Sequence, residues 1–495
     1  MFKIIKSQQT LRLLFSILLI ILMFFMLLPN DVAAETPNPG DFSSLDAVIE
    51  AQMEKHGLPG VAIAIVDGDD VVYSQGFGRA GRDRSMTAEM QMFIGSQSKS
   101  FTALAVAQLA EQGLLDLDEL VQTYIPWFRV ADETASGQIT VRHLLTHSSG
   151  LSDAGFPVVL TRDTSLEEAV RALERASLTA LVGSEFQYFN RGYTVLAYLV
   201  EIRSGQPFAD YVRDQIMIPL GMENSTADSG STQAIAQGYS RLFGFNFPMP
   251  QPTPEYGTGA ANMVSTVEDL AKFAIAMNNQ AEALVSPMMG EEIFTPGLGG
   301  YGFGWWIVDD GDKAFHGGAD ETFRTDVNLY PQQGLAFVLL VNQGHQFDHF
   351  VSAVQLRDSV EAFVLGSAPI PVGEGWSVRW LGWGVGIITL GLSIMHVHNF
   401  IKLRSWPERA KNMSKRKRLT DIGLSFLIPT VILVIVLSQV RAFYGDRFNL
   451  WPTLVGMPRI IPDVFILMLV AAIPDYVQGI IKIILWQNKP EPKIN

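Results

Sequence analysis

The stretch FIGSQSKSFTALAVAQL, Phe93 to Leu109, places Ser96, Ser98 and Ser100 within five residues, with Lys99 among them, at the head of an apolar run of helical character. A serine hydroxyl is a weak nucleophile until a neighbouring base takes its proton. On a helix, residues three apart share a face. Ser96 and Lys99 therefore stand side by side, while Ser98 and Ser100 adjoin Lys99 along the chain and point elsewhere. Lysine serves as a base where burial and nearby cations lower its pKa. A helix start adds free N–H groups and the positive end of the dipole, which stabilise developing negative charge. The pattern S-x-x-K also describes a serine N-cap followed by a solvated lysine, and the spacing alone leaves both readings open.

The elements that must carry this pair are legible around it. Ser43 to Gly57 has a Ser cap, apolar residues at helical spacing and a closing Gly. Val61 to Gly78 reads as two β-rich runs about Asp67-Gly68-Asp69-Asp70, a hairpin. Helical and loop patterns fill Leu114 to Gln280. Strand patterns return late, in YGFGWWIV, KAFHG, FRTDVNLYP and GLAFVLLVNQ, before a last helix at about His349 to Val364. Strands at both ends with helices between predict an α+β domain over residues 37–368: one antiparallel sheet flanked by helices, built from both chain ends, with a helical insertion. Of Trp305 and Trp306, one is expected in the core and the other near the cleft wall.

The chain ends are different in kind. Of 495 residues, 48% are hydrophobic and only 17% charged, below the usual quarter, which suggests membrane-embedded segments. Lys3, Lys6 and Arg12 precede an apolar run from Leu13 to Leu28, and small residues at Val32 and Ala34 suit signal-peptidase cleavage after Ala34. Residues 1–34 are thus expected to be a signal peptide, with an uncleaved anchor as the alternative. A linker, 369–379, leads to three apolar stretches, Trp380 to Phe400, Ile422 to Val440 and Val464 to Trp486, each long enough to span a bilayer. The loop 402–418 between the first two holds eight lysines and arginines and one acid, Glu408. The positive-inside rule makes that loop cytoplasmic. The tail 487–495 is then cytoplasmic and the large N-terminal region extracytoplasmic, at a multi-pass cell membrane. Asp475, beside Pro474 in the third span, is read as a packing or water-exposed feature in preference to a functional carboxylate.

Function classes narrow accordingly. Without cysteine there are no disulfides and no Cys-based metal site. The net charge of −14 includes the basic loop, so the rest of the chain is more acidic still and does not suggest a nucleic-acid partner. His143 and His147 in HLLTHSSGL are four apart but lack a third ligand, and read as a structural loop beside the cleft. The sequence assigns no oligomeric state.

Two further motifs accompany Ser96 and Lys99: Tyr188-Phe189-Asn190 before an apolar helix, and His316-Gly317-Gly318 ending a strand pattern. Together with HLLTHSSGL and GTGAANMVSTVEDLAKF, they make the region from about Phe42 to Phe363 resemble the serine β-lactamase and penicillin-binding-protein superfamily. Within it, the chain is most similar to the class C β-lactamase, D-alanyl-D-alanine carboxypeptidase and esterase branch. The resemblance implies a β-lactamase/transpeptidase-like fold and acyl-enzyme catalysis with no metal and no organic cofactor. It implies Ser96 as nucleophile, with Lys99 and Tyr188 as the proton-shuttling pair. Asn190 would bind the substrate amide and hold Lys99. His316, Gly317 and Gly318 would line the opposite wall, and the backbone N–H groups of Ser96 and Ala319 would form the oxyanion hole. β-Lactamases of this branch usually carry lysine at the position of His316, which ranks peptidase or esterase activity above β-lactamase activity. Arg324 is a candidate for the missing cation, or else an exposed sheet-edge arginine; Phe189 is expected to narrow the cleft. The expected substrates are D-amino-acid peptides or esters of the cell envelope, with general esters or β-lactams as the alternative. A non-turnover penicillin-binding or envelope-sensing receptor is the alternative of another class.

Overall fold

In a computed structural model the described residues are 41–487, apart from 229, 231–234, 347, 349, 350, 371, 373–376 and 445–449. The expected signal peptide 1–34 and the tail from 488 onward lie outside the described residues, as do parts of the linker 369–379.

Helix α1 (Phe42–His56) starts at Asp41, whose carboxylate accepts the Ser43 N–H, and stops at Gly57, where φ of 65° suits a residue without Cβ. Strands β1 (Gly60–Asp67) and β2 (Asp70–Gly78) form the expected hairpin. Hairpin β3 (Tyr239–Leu242) and β4 (Phe245–Pro248) stands apart as a two-stranded sheet. The late patterns become β5 (Trp306–Val308), β6 (Lys313–Ala319), β7 (Arg324–Tyr330) and β8 (Leu335–Val341). The main sheet has six antiparallel strands in the order β2-β1-β8-β7-β6-β5, so the first and last parts of the domain meet where β1 pairs with β8, Val61 opposite Val341.

Strand β1 shows how the sheet is covered. Successive side chains of a strand point to opposite faces. Ala62, Ala64 and Val66 enter one apolar cluster with the inserted helices; Val61, Ile63 and Ile65 enter another with α1 and the late helix over Ser352–Val364. Both faces are buried, hence the unbroken apolar run VAIAIV. Helix α2 (Ser98–Glu111) is buried nearly all round, the mark of a central helix. Helix α3 (Asn190–Ser204) packs on α2, and α4 (Val267–Asn278) covers the sheet. Helix α5 (Ser352–Val364) closes the domain on the α1 side.

Beyond it, α6 (Val378–Leu403), α7 (Lys415–Tyr444) and α9 (Pro462–Gln487) contain three helices long and apolar enough to cross a membrane. Between the last two lies α8 (Leu450–Ile460), an element the hydropathy pattern did not distinguish. Helix α9 runs through Pro474, and Asp475 is buried against α6 with its Oδ1 3.6 Å from Nδ1 of His396. The tip of the β3–β4 hairpin, Phe243-Gly244, rests on α6: a Cβ on Gly244 would stand 2.3 Å from the Trp383 ring.

Candidate active site

Ser96 sits in a 3-10 turn, Gly95–Gln97, that feeds directly into α2. Gly95 has φ of 53°, and its Cα lies so close to β6 that a Cβ would stand 2.7 Å from the Ala319 nitrogen. Gly318 is as tightly placed from the other side, where a Cβ would meet the Ile94 carbonyl oxygen at 1.9 Å. Glycine at both points lets the Ser96 turn and the end of β6 touch backbone to backbone. Asp320, the residue after Ala319, is buried beside this junction, and burial pushes its carboxyl up to about 7.

Lys99 is fully buried. Its Nζ lies 2.8 Å from the Ala260 carbonyl, 2.7 Å from Asn190 Oδ1 and 3.1 Å from Ser96 Oγ. Two of these neighbours accept only. An amine donating to both has one tetrahedral direction left, and it points at Ser96. As an ammonium, Lys99 donates a third hydrogen bond there; as a neutral amine, it offers its lone pair to the Ser96 hydroxyl. The arrangement can therefore carry a proton in either direction. Ser98 and Ser100 are spent locally, on the carbonyls of Gly95 and Gln97.

Tyr188 approaches from the segment before α3, with Nζ of Lys99 4.8 Å from the centre of its ring, a cation–π distance. His147 clamps this segment. With φ of 53°, its ring lies tilted against Tyr188, centroids 4.4 Å apart, its Nδ1 accepts the Phe189 N–H and its carbonyl accepts the Gln187 N–H. His143 instead caps its own helix by accepting the Thr140 N–H, so the two histidines do not converge. Asn190 opens α3 on the side of Lys99.

His316 is buried under the cleft, 2% exposed. Its Nδ1 lies 2.8 Å from the Gly317 carbonyl, which can only accept, so Nδ1 carries the hydrogen. Nε2 is then an acceptor, and Tyr301 O–H donates to it at 3.0 Å. Burial, then the nearby charge of Lys99, pull this imidazole down to about 3. Gly317 and Gly318 present their backbone beside it.

Three expectations change. Arg324 is neither an exposed edge residue nor a cation in the cleft: β7 lies inside the sheet, Arg324 is 3% exposed, and its guanidinium donates to the carbonyls of Asp320, Phe323 and Gly344. Phe189 does not narrow the cleft, because its ring turns inward, 1% exposed, against Phe156. The 3-10 turn moves the start of the α-helix from Ser96 to Ser98 without disturbing the Ser96–Lys99 pair. Trp305 is in the core and Trp306 is half-buried against Tyr301 and Phe186 at the cleft wall.

Tyr301 and Tyr193 were not singled out from the sequence. Tyr193, whose hydroxyl donates to the Leu145 carbonyl, lies three residues after Asn190 on α3, and that shared helical face was a readable signal. Tyr301 had none, since it arrives from a distant loop.

The profile of the family described as Beta-lactamase matches residues 45–361 of the chain and stops before α6. Among curated relatives, Protein flp of Staphylococcus aureus (strain MW2) is 27% identical over 319 residues. That match covers 61% of this chain and 63% of the relative, less than two thirds of its length. Among solved structures, the octameric penicillin-binding protein homologue from Pyrococcus abyssi superposes with a TM-score of 0.59 at 28% identity, over 66% of this chain and 78% of that one. The D-amino acid amidase from Ochrobactrum anthropi SV3, complexed with D-phenylalanine, shares the fold with a TM-score of 0.56 at 22% identity, over 65% of this chain and 98% of that one.

Proposed function

The chain belongs to the beta-lactamase family of serine-hydrolase folds, and from that premise we propose that it is a membrane-anchored, extracytoplasmic serine hydrolase of the carboxypeptidase or esterase type. One observation carries the reading: the third direction of Lys99 Nζ points at Ser96 Oγ, 3.1 Å away, with the other two taken by acceptors. In the proposed cycle Ser96 attacks the carbonyl and passes its proton to the Lys99–Tyr188 pair. The same pair then returns a proton to the leaving group. The N–H groups of Ser96 and Ala319 take up the charge that develops on the carbonyl oxygen. Water completes the cycle by hydrolysing the acyl-Ser96 ester.

The substrates proposed are D-amino-acid peptides or esters of the cell envelope. The neutral, internally bonded His316 and the inward-facing Arg324 offer no cation to a substrate carboxylate, which favours esters and peptide amides without a free carboxylate at that end over β-lactams. The full chain in detergent, exposed to a fluorophosphonate, a penicillin, a D-Ala-D-Ala peptide and a simple ester, tests the proposal by intact mass. One adduct absent from Ser96→Ala is expected, together with turnover of the peptide or ester. A stable acyl-protein with no turnover would favour the receptor alternative. No adduct from folded protein would sink the hydrolase reading.

A further inference from the structure

The turn that follows the candidate oxyanion strand is held on one side by the site and on the other by the C-terminal helices. Asp320 to Phe323 form this turn, closed by the Asp320 N–H donating to the Phe323 carbonyl at 3.0 Å. Its inner side is fixed by Arg324, whose guanidinium donates to the carbonyls of Asp320 and Phe323. Its outer side meets α8. Arg459 of α8 donates to the Glu321 carboxylate and, at 3.3 Å, to the Pro250 carbonyl. The backbone of Glu321 also rests on Gly344, where a Cβ would come within 2.1 Å of it. The next residue, His345, pairs through Nε2 with Asp463 of α9 at 3.2 Å, both side chains 1% exposed. One contact from the C-terminal helices thus reaches the turn directly, at Glu321, two residues beyond Ala319, and a second holds His345, next to the Gly344 on which the turn rests.

We propose that Arg459 is a positioning residue for the hydrolysis: through Glu321 it fixes the turn that aims the Ala319 N–H at the developing oxyanion. The C-terminal helices are then a working part of the site as well as an anchor. This inference rests on the Ser96 hydrolase reading. The physical reason is the difference between what such a contact contributes to stability and what it contributes to geometry. Arg459 and Glu321 are 33% and 24% exposed, and ion pairs that near the surface add little to folding. A preorganised oxyanion donor, in contrast, is sensitive to small displacement. Loss of the contact should therefore register in the rate more than in the fold.

The test uses the full chain in detergent, with p-nitrophenyl acetate and a fluorophosphonate as probes. Arg459→Ala is expected to lower kcat about tenfold with KM within about twofold, melting temperature unchanged, and faster amide exchange confined to Ala319–Phe323. Arg459→Lys should recover part of the rate. The exchanged pair, Arg459→Glu with Glu321→Arg, should return it to within about threefold of wild type. Wild-type kcat in Arg459→Ala overturns the proposal, whatever the exchange shows. A loss of kcat that merely follows a lowered melting temperature also overturns it, since the contact then only holds the fold. Failure of the hydrolase reading looks different: the wild type itself takes no label at Ser96, and the exchange measurement alone then decides whether Arg459 holds the turn.

Discussion

Lys99 illustrates how little of a charged side chain's behaviour its own identity settles. A lysine at a helix start is ordinarily solvated. Here two acceptors, the Ala260 carbonyl and Asn190 Oδ1, turn it into a fixed tetrahedral centre aimed at Ser96. His316 is the second such case, and it carries a pH prediction. The unfolded chain takes up a proton on this residue as pH falls through about 6.5, whereas the folded chain resists until about 3. The stability that follows from this difference is whole above 6.5 and drains as pH falls from 6.5 toward 3. The melting temperature of His316→Asn should therefore fall less than that of wild type between pH 7 and pH 4. Parallel acid slopes for the two proteins would contradict the neutral, buried assignment. Ser96, Lys99, Tyr188 and Asn190 were all named from sequence motifs, and the structure brings them together. Tyr301 and the clamp by His147 were not legible, because rings that meet from three separate segments leave no spacing to read.

At the scale of elements, the site is the meeting of one turn and one strand end. The 3-10 turn Gly95–Gln97 and the end of β6 approach so closely that only glycine fits at residues 95 and 318. Gly318→Ala would put a methyl group 1.9 Å from the Ile94 carbonyl oxygen, and the two backbones must separate to admit it. We expect the acylation rate at Ser96 to fall by a factor on the order of 10² or more, as for removal of an oxyanion donor, measured with a fluorophosphonate on the full chain. An unchanged rate would show that the oxyanion does not sit between these two elements. The sheet was readable in outline, because strand patterns at both ends of the domain leave few ways to pair. The place of Arg324 was not, since whether a strand is edge or interior depends on pairing order and not on its own residues.

At the scale of the whole molecule, the helical region and the hydrolase fold are not two bodies on a string. Phe243-Gly244 at the tip of the β3–β4 hairpin, the His345–Asp463 pair and the Arg459–Glu321 pair all cross between them. The proposed topology puts the hydrolase fold outside the cell and the basic loop 402–418 inside. The chain has no native cysteine, so single substitutions report cleanly. On intact cells a membrane-impermeant maleimide should label Glu185→Cys, an exposed position near the cleft, and should reach Ser414→Cys only after lysis. The reverse pattern would invert the topology and remove the cell envelope as the source of substrate.

The sequence by itself determined the periodicities and the local chemistry. It showed apolar runs long enough to span a bilayer, the charge of the loop between them, the order of strands and helices, and the one-turn spacing of Ser96 and Lys99. These are readable because hydrophobic pattern and i,i+3 adjacency act over a few residues. Only the tertiary structure decided what each group is for. It placed the Ala260 carbonyl against Lys99, fixed the tautomer of His316, turned Arg324 inward and brought α8 against the turn beyond Ala319. Those outcomes depend on contacts between residues tens to hundreds of positions apart, and hydrogen bonding and burial respond to such neighbours, which local pattern does not encode.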